Sequence, residues 1–403
     1  MYLAYNGLTE PLGRRQVVPY LAELSRRGWD FTVISFEKPR SASAEARLTV
    51  AGLLGARICW IPLQYHAWPS VPATAYDILR GWAAAALQGG RDVGLLHARS
   101  TVAAAMARWA RPLVRAPWIF DVRGLLADEY ADAGHWKAGG TLHRLTHNVE
   151  RRLMRQADGV VFLTSRIRER LRGQGLLPDA QPNAVIPCCV DLAAFRPSAV
   201  ARQRIRQELG FADAPVLVYS GSLGSWYRLE EMLDFHAAAR QVVPGLRFLI
   251  LTPQTEMVSK SVARRPESAL AVVGRHVQPD DVPDYLSACD AGICFLADSP
   301  SKGASSPTKY GEYLASGLPV ITNRWTGDAA TLDGEPPWTV VDNFGADHYA
   351  RAAERLKWLL ARPEATVEAA RELARRCFSL DLAVSRYDAL YQEVFDRWRK
   401  LIA

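Results

Sequence analysis

The stretch SSPTKYGEYLASGLPVITN, residues 305–323, sets a short helix directly before a buried strand. Ser306 is a natural N-cap, because its hydroxyl can accept from the free N–H groups of a first turn. Pro307 suits the first helical position, where a missing N–H costs nothing. Gly317 stops the helix in a left-handed conformation, and LPVIT reads as a short buried strand. On one reading this is a capped surface helix, with Lys309 and Glu312 as an i,i+3 ion pair worth roughly a few tenths of a kcal/mol. On another, the helix N-terminus is an anion site and Glu312 reads a sugar hydroxyl.

Working outward, the same alternation of helix and apolar strand covers the chain. In the first half the expected strands are residues 2–5, 31–36, 57–61, 94–98, 118–122, 160–164 and 183–187. In the second half they are 215–221, 246–252, 270–274, 291–296, 318–323 and 338–343. Continuous Val/Ile/Leu strands separated by helices, such as those predicted over 77–90 and 141–157, imply parallel sheets covered on both faces. The fold class is therefore α/β, with two doubly wound domains. The expected boundaries are 1–187 and 198–383, joined by the irregular stretch PCCVDLAAFRPS (187–198). The aromatic, amphipathic C-terminal segment, about 384–403, is expected to pack back on the first domain. Ligands of such sheets sit outside the carboxyl ends of the strands. Two Gly-rich edges of this kind suggest a cleft between the domains.

Composition narrows the function. The 403 residues are 49% hydrophobic and 23% charged, which suits a globular chain with real cores. The net charge is +7, and 42 of the 49 basic residues are arginine. No block of like charges is present, which argues against a nucleic-acid tail. The six cysteines show no metal spacing and read as reduced thiols of a cytoplasmic protein. No apolar run approaches the roughly 20 residues that span a bilayer, and with a strand expected from Tyr2 no signal peptide is expected. A cytoplasmic protein is expected, with peripheral contact at the inner membrane face left open.

Chemistry-bearing residues collect at the strand ends. NGLTEPLGRRQ (6–16) joins a strand to a helix, and Gly13 would let a ligand approach the backbone. GSLGSWYR (221–228) also follows a strand. Gly221 and Ser222 would cradle a phosphate, with Arg228 adding charge-assisted bonds. The first loop also reads as a plain βα turn, and a glycine-rich connector accounts for the second equally well. His97 in HARS, and Asp121 and Arg123 in DVRG, place polar groups at two adjacent strand ends. Any one of them alone reads as structural. The basic helix carrying Arg144, Arg151, Arg152 and Arg155 reads first as a solvated face, and second as a contact for an anionic membrane. No metal-site motif is present.

On these residues the chain resembles the retaining glycosyltransferases of the family 4 group, which have the GT-B architecture of two facing Rossmann-like domains. The resemblance rests on GLTEPLGRRQVVPYLAELSRRGWDFTVISFE, IPCCVDLAAFRP, VYSGSLGSWY and SSPTKYGEYLASGLPVITN, in that order. It implies a nucleoside-diphosphate sugar held by the second domain, an acceptor against the first, and front-face attack without a protein nucleophile, a cofactor or an obligatory metal. Glu312 matches the second acid of the family's Glu-x7-Glu pattern, which implies bonds to the ribose hydroxyls. Gly13 matches the loop glycine near the donor diphosphate. Ser306, Thr308 and Lys309 would meet the same diphosphate.

Four positions depart from the pattern. Ala304 stands where the first acid belongs, Ser222 and Tyr227 where the diphosphate loop has Arg and Lys, and Arg123 where a histidine is common. Arg228 and Lys309 are the expected substitutes. Asp121, Arg123 and His97 are the catalytic candidates, orienting acceptor or donor. The expected acceptor is a surface glycan, a lipid-linked glycan or a small molecule. Two alternatives stay open: an epimerase or phosphorylase on the same architecture, and a non-catalytic nucleotide-binding scaffold.

Overall fold

The computed structural model describes residues 1–89, 93–224 and 226–402. The last residue of the predicted 77–90 helix, Ser225 of the glycine-rich loop and Ala403 of the C-terminal segment lie outside the described residues. The chain forms two units, Met1–Pro187 with Leu380–Ala403, and Cys188–Ser379.

The first unit holds a seven-stranded sheet of β1 (Tyr2–Ala4), β2 (Phe31–Glu37), β3 (Ile58–Gln64), β4 (Leu96–Arg99), β5 (Trp118–Val122), β6 (Gly159–Phe162) and β7 (Asn183–Val185). Their spatial order is β3-β2-β1-β4-β5-β6-β7, and every pairing is parallel. β5 is buried at every residue, which explains why it reads as an unbroken apolar run. β3 lies at the sheet edge, where Pro62 removes no needed donor.

The second unit holds β8 (Val216–Ser220), β9 (Arg247–Leu251), β10 (Val272–Arg275), β11 (Ala291–Cys294), β12 (Val320–Asn323) and β13 (Trp338–Val341). Their order is β10-β9-β8-β11-β12-β13, again wholly parallel. Both sheets are doubly wound, as the alternating pattern implies.

The stretch after Pro187, read as a connector, belongs to the second unit. The Val190 N–H donates to the Phe378 carbonyl at 2.8 Å, and Val190 packs in that unit's core. The crossing back to the first unit falls at Leu380, where the last helix, Leu380–Ile402, begins. There Trp29 Nε1 donates to Asp388 at 2.8 Å, and Arg386 donates to the Val185 carbonyl at 2.7 Å.

Candidate functional site

In the second unit the opening stretch folds as the helix Thr308–Ala315, one residue later than a Ser306 cap implies. Pro307 takes the cap position with extended backbone, and no side chain caps the helix. Ser306 is drawn elsewhere: its hydroxyl accepts from the Cys188 N–H at 3.2 Å. The first-turn N–H groups of this helix, at the positive end of its dipole, therefore have no side-chain cap.

Lys309 lies in that first turn and is buried. Its Nζ stands 3.9 Å from the Tyr227 ring centroid and 5.0 Å from that of Tyr219. Among the described residues no carboxylate pairs with it, so the Lys309–Glu312 ion pair is not formed. Burial works against its charge, and the phenol rings of Tyr219 and Tyr227 outweigh that, so its pKa lies above the ordinary lysine value. Gly221 is adjacent, with φ +132°, and a Cβ there would come within 3.3 Å of Lys309 Nζ. Glycine is required both by the backbone and by the lysine.

The loop after β8 is tied down on several sides. Tyr219 Oη donates to the Ser222 carbonyl at 2.6 Å, Tyr313 Oη accepts from the Ser220 N–H at 2.8 Å, and Gln254 accepts from Leu223 at 2.9 Å. The Gly221 N–H donates to the Leu251 carbonyl at 2.8 Å, so this amide continues the sheet and does not face a phosphate. Ser222 is exposed beside it. Arg228 is turned away from the loop and pairs with Glu231 on its own helix. Lys302, which sequence reasoning missed, is buried with its Nζ 3.9 Å from the Trp226 ring centroid. Ala304 and Glu312 are both buried nearby in sequence.

In the first unit the structure brings His97, Asp121 and Arg123 together, but in the interior. Asp121 is fully buried and His97 nearly so. Tyr387 Oη donates to Asp121 Oδ2 at 3.0 Å, His97 Nε2 lies 3.3 Å from the same oxygen, and His97 Nδ1 lies 2.6 Å from Tyr391 Oη. Arg123 Nη1 is 3.6 Å from Oδ1, and Arg99 Nη1 is 3.7 Å from Oδ2. Burial works against the Asp121 charge. Arg123, then His97 and Arg99, outweigh it and hold the carboxyl below its usual range. Burial lowers the His97 pKa despite Asp121, so the ring is neutral. Nε2–H then donates to Asp121, and Nδ1 accepts from Tyr391. The expectation that His97 and Asp121 touch a ligand is replaced by a positioning role: they fasten the last helix and hold Arg99 and Arg123 at the strand ends.

Gly13 is required by its own loop: a Cβ there would sit 2.1 Å from the Gly7 carbonyl oxygen. That loop is fixed by Glu37, a buried acid ending β2. Its carboxylate accepts from Leu8 N–H at 2.8 Å, Thr9 N–H at 3.1 Å, Thr9 Oγ1 at 2.5 Å and Ser35 Oγ at 2.6 Å.

A second buried acid, Glu150, holds the segment after Arg123. It accepts from Thr101 Oγ1 at 2.8 Å and from the Leu126 N–H at 2.7 Å, at the start of the helix Leu126–Asp132. Burial pushes its pKa from 4.5 up to about 7, against the pull of those donors. The native state thus keeps this proton to higher pH than the unfolded chain. The associated stability is present below pH 4.5 and lost as pH rises through 7, a change on the order of 3 kcal/mol. Glu150→Gln is expected to remove that decline, read from urea midpoints on either side of the window. An unchanged pH profile would assign the decline to other groups.

Among the described residues no three His, Cys, Asp or Glu side chains cluster to hold a metal. A glycosyl transferase 4-like domain model matches residues 13–189, and a glycosyl transferases group 1 model matches residues 214–357. The GDP-mannose-dependent alpha-(1-6)-phosphatidylinositol monomannoside mannosyltransferase of Mycolicibacterium smegmatis is 27% identical over 256 residues, covering 62% of this chain. The alpha-D-kanosaminyltransferase of Streptomyces kanamyceticus is 21% identical over 247 residues, covering 61%. The matched stretch spans 64% of the length of the first and 63% of the second. Among solved structures, the sucrose-phosphate synthase of Thermosynechococcus elongatus superposes with TM-score 0.71 at 18% identity, covering 98% of this chain and 100% of that one. Anabaena HepE in complex with UDP gives 0.71 at 16% identity, covering 97% and 99%.

Proposed function

We propose that this chain, which belongs to the family 4 group of GT-B glycosyltransferases, moves a sugar from a nucleoside-diphosphate sugar to a hydroxyl acceptor with retention of configuration. The observation that carries this reading is Lys309: a buried ammonium without a carboxylate, beside a glycine-rich loop and at an uncapped helix N-terminus. A buried cation costs several kcal/mol unless an anion meets it. A diphosphate supplies that anion and accepts from N–H groups at the helix start.

Breaking the bond from the sugar to the diphosphate leaves negative charge on the departing oxygens. Lys309, the Thr308 end of the helix and the exposed Ser222 are fixed before the reaction, so they stabilise that charge without reorganising. Glu312 receives the ribose hydroxyls of the donor. The acceptor hydroxyl attacks from the face the diphosphate leaves, and its proton passes to the departing phosphate oxygen. In this reading neither a protein nucleophile, a cofactor nor a metal takes part. The mannosyl and kanosaminyl transfers named for the two relatives support a hexosyl donor. The acceptor is a surface glycan, a lipid-linked glycan or a small glycoconjugate.

A thermal-shift panel of nucleoside diphosphates and their sugars on wild type and Glu312→Ala tests the donor site. A ligand at about 100 times its dissociation constant stabilises by about 2.7 kcal/mol. One nucleotide is expected to do so, and the variant to lose the shift. A wild type that responds to none would reject the donor site.

A further inference from the structure

Three helices of the first unit pack side by side: Ser70–Gln88, Thr101–Val114 and Thr141–Gln156. Trp82 Nε1 donates to the Trp109 carbonyl at 3.2 Å, and Arg108 Nε donates to Gln156 at 2.8 Å. Between them the helices carry only two carboxylates, Asp77 and Glu150, and both are buried. Their outer surface is therefore cationic and has no exposed acid.

That surface is also apolar. Leu142, Leu145 and Val149 are 43%, 58% and 40% exposed. Their i, i+3, i+7 spacing makes one stripe along the helix. Arg144, Arg151, Arg152 and Arg155 follow in the adjoining stripe, and Arg151, Arg152 and Arg155 line a shallow groove with Asn148 and Gln156. Trp109 and Leu113 continue the exposed apolar surface on the neighbouring helix.

Among the described residues no carboxylate pairs with those four arginines. The next helix, Ser165–Gly173, shows the contrast: its Arg168 and Arg172 both pair with Glu169. A solvated basic face needs no leucine stripe, and here the stripe lies beside guanidinium groups without carboxylate partners. An anionic bilayer surface accommodates both at once. Acyl chains take the apolar stripe, and lipid phosphates take the guanidinium groups. No helix among the described residues is long and apolar enough to cross a membrane.

We propose that this three-helix face docks the chain on an anionic lipid bilayer, with Leu142, Leu145 and Val149 entering the headgroup boundary beside the arginines. The proposal does not depend on the transfer reading, because the donor groups lie in the other unit.

The test is co-sedimentation of the full chain with phosphatidylcholine vesicles, with and without phosphatidylglycerol. Wild type is expected to sediment with the anionic vesicles and to be released by salt. Each arginine at such a surface is worth about fivefold in binding. The combined Arg151→Glu, Arg152→Glu and Arg155→Glu variant should therefore lose at least about a hundredfold, while keeping its melting temperature and nucleotide response. Leu142→Ser with Leu145→Ser should weaken the binding that survives high salt. A matched reversal at Arg351, Arg355 and Arg362 should bind as wild type. The proposal is overturned if wild type ignores anionic vesicles, if the Arg151–Arg155 reversal sediments as wild type, or if the matched reversal loses as much.

Discussion

Lys309→Met is expected to weaken nucleotide binding roughly ten- to a hundredfold while changing the stability of the fold by no more than about 2 kcal/mol. The two effects have one cause. The ammonium is held in a low-dielectric pocket against two tyrosine rings, without a carboxylate. Exchanging buried ions for apolar groups of similar volume is often neutral or stabilising by about 1–4 kcal/mol. Loss of the cation–π contacts takes back about 2 kcal/mol. Net stability should therefore change by no more than about 2 kcal/mol in either direction. Binding moves the other way, since one charge-assisted bond to phosphate is worth about 1.5–3 kcal/mol. That is roughly ten- to a hundredfold in dissociation constant. Calorimetric titration with the nucleotide that stabilises wild type, beside a melting curve of each free protein, reads both. A stable Met variant that still binds would remove Lys309 from the donor site.

Gly13→Ala is expected to destabilise the first unit by about 3 kcal/mol, the upper end of ordinary overpacking. The added methyl meets backbone, not a movable side chain: the Gly7 oxygen at 2.1 Å and Leu8 Cα at 2.7 Å. The loop must lift, and lifting it draws Leu8 and Thr9 away from the Glu37 carboxylate. A buried carboxylate without donors is costly, so the damage spreads to the end of β2. Urea unfolding gives the magnitude, and amide exchange at Leu8 and Thr9 gives the place. Wild-type stability together with weakened nucleotide binding would return Gly13 to the role of a ligand-facing glycine.

These two residues show what was legible in the sequence and what was not. All thirteen strands could be read, because a parallel strand covered on both faces has little choice but to be apolar. β5 and β8 are buried at every residue, and WIFDV and VLVYS say so directly. Polar residues at strand ends were equally visible, but their partners were not. His97 and Asp121 look like a site until Tyr391 and Tyr387 reach them across 294 and 266 residues of chain. No local pattern encodes such a contact. Glu37 gave the same signal as Asp121, a lone acid ending an apolar strand, and went unused because its partners are two loop amides and two hydroxyls. Lys302 lies in a loop without periodicity, where only the approach of Trp226 gives it meaning. At Ser306 the capping rule competed with a second donor. Extended backbone at Pro307 moved the helix start forward, and the Cys188 N–H took the hydroxyl.

The last helix also orders events during synthesis. A ribosome makes Tyr391 294 residues after His97. At about 5–20 residues per second the gap is on the order of 15–60 s. Through that interval the nascent first sheet lacks the hydroxyls that later seal its carboxylate and imidazole. The second unit is one continuous segment and needs nothing made after Ser379. The half translated second is therefore the first able to finish folding, and the half translated first stays unsealed until the helix from Leu380 leaves the exit tunnel.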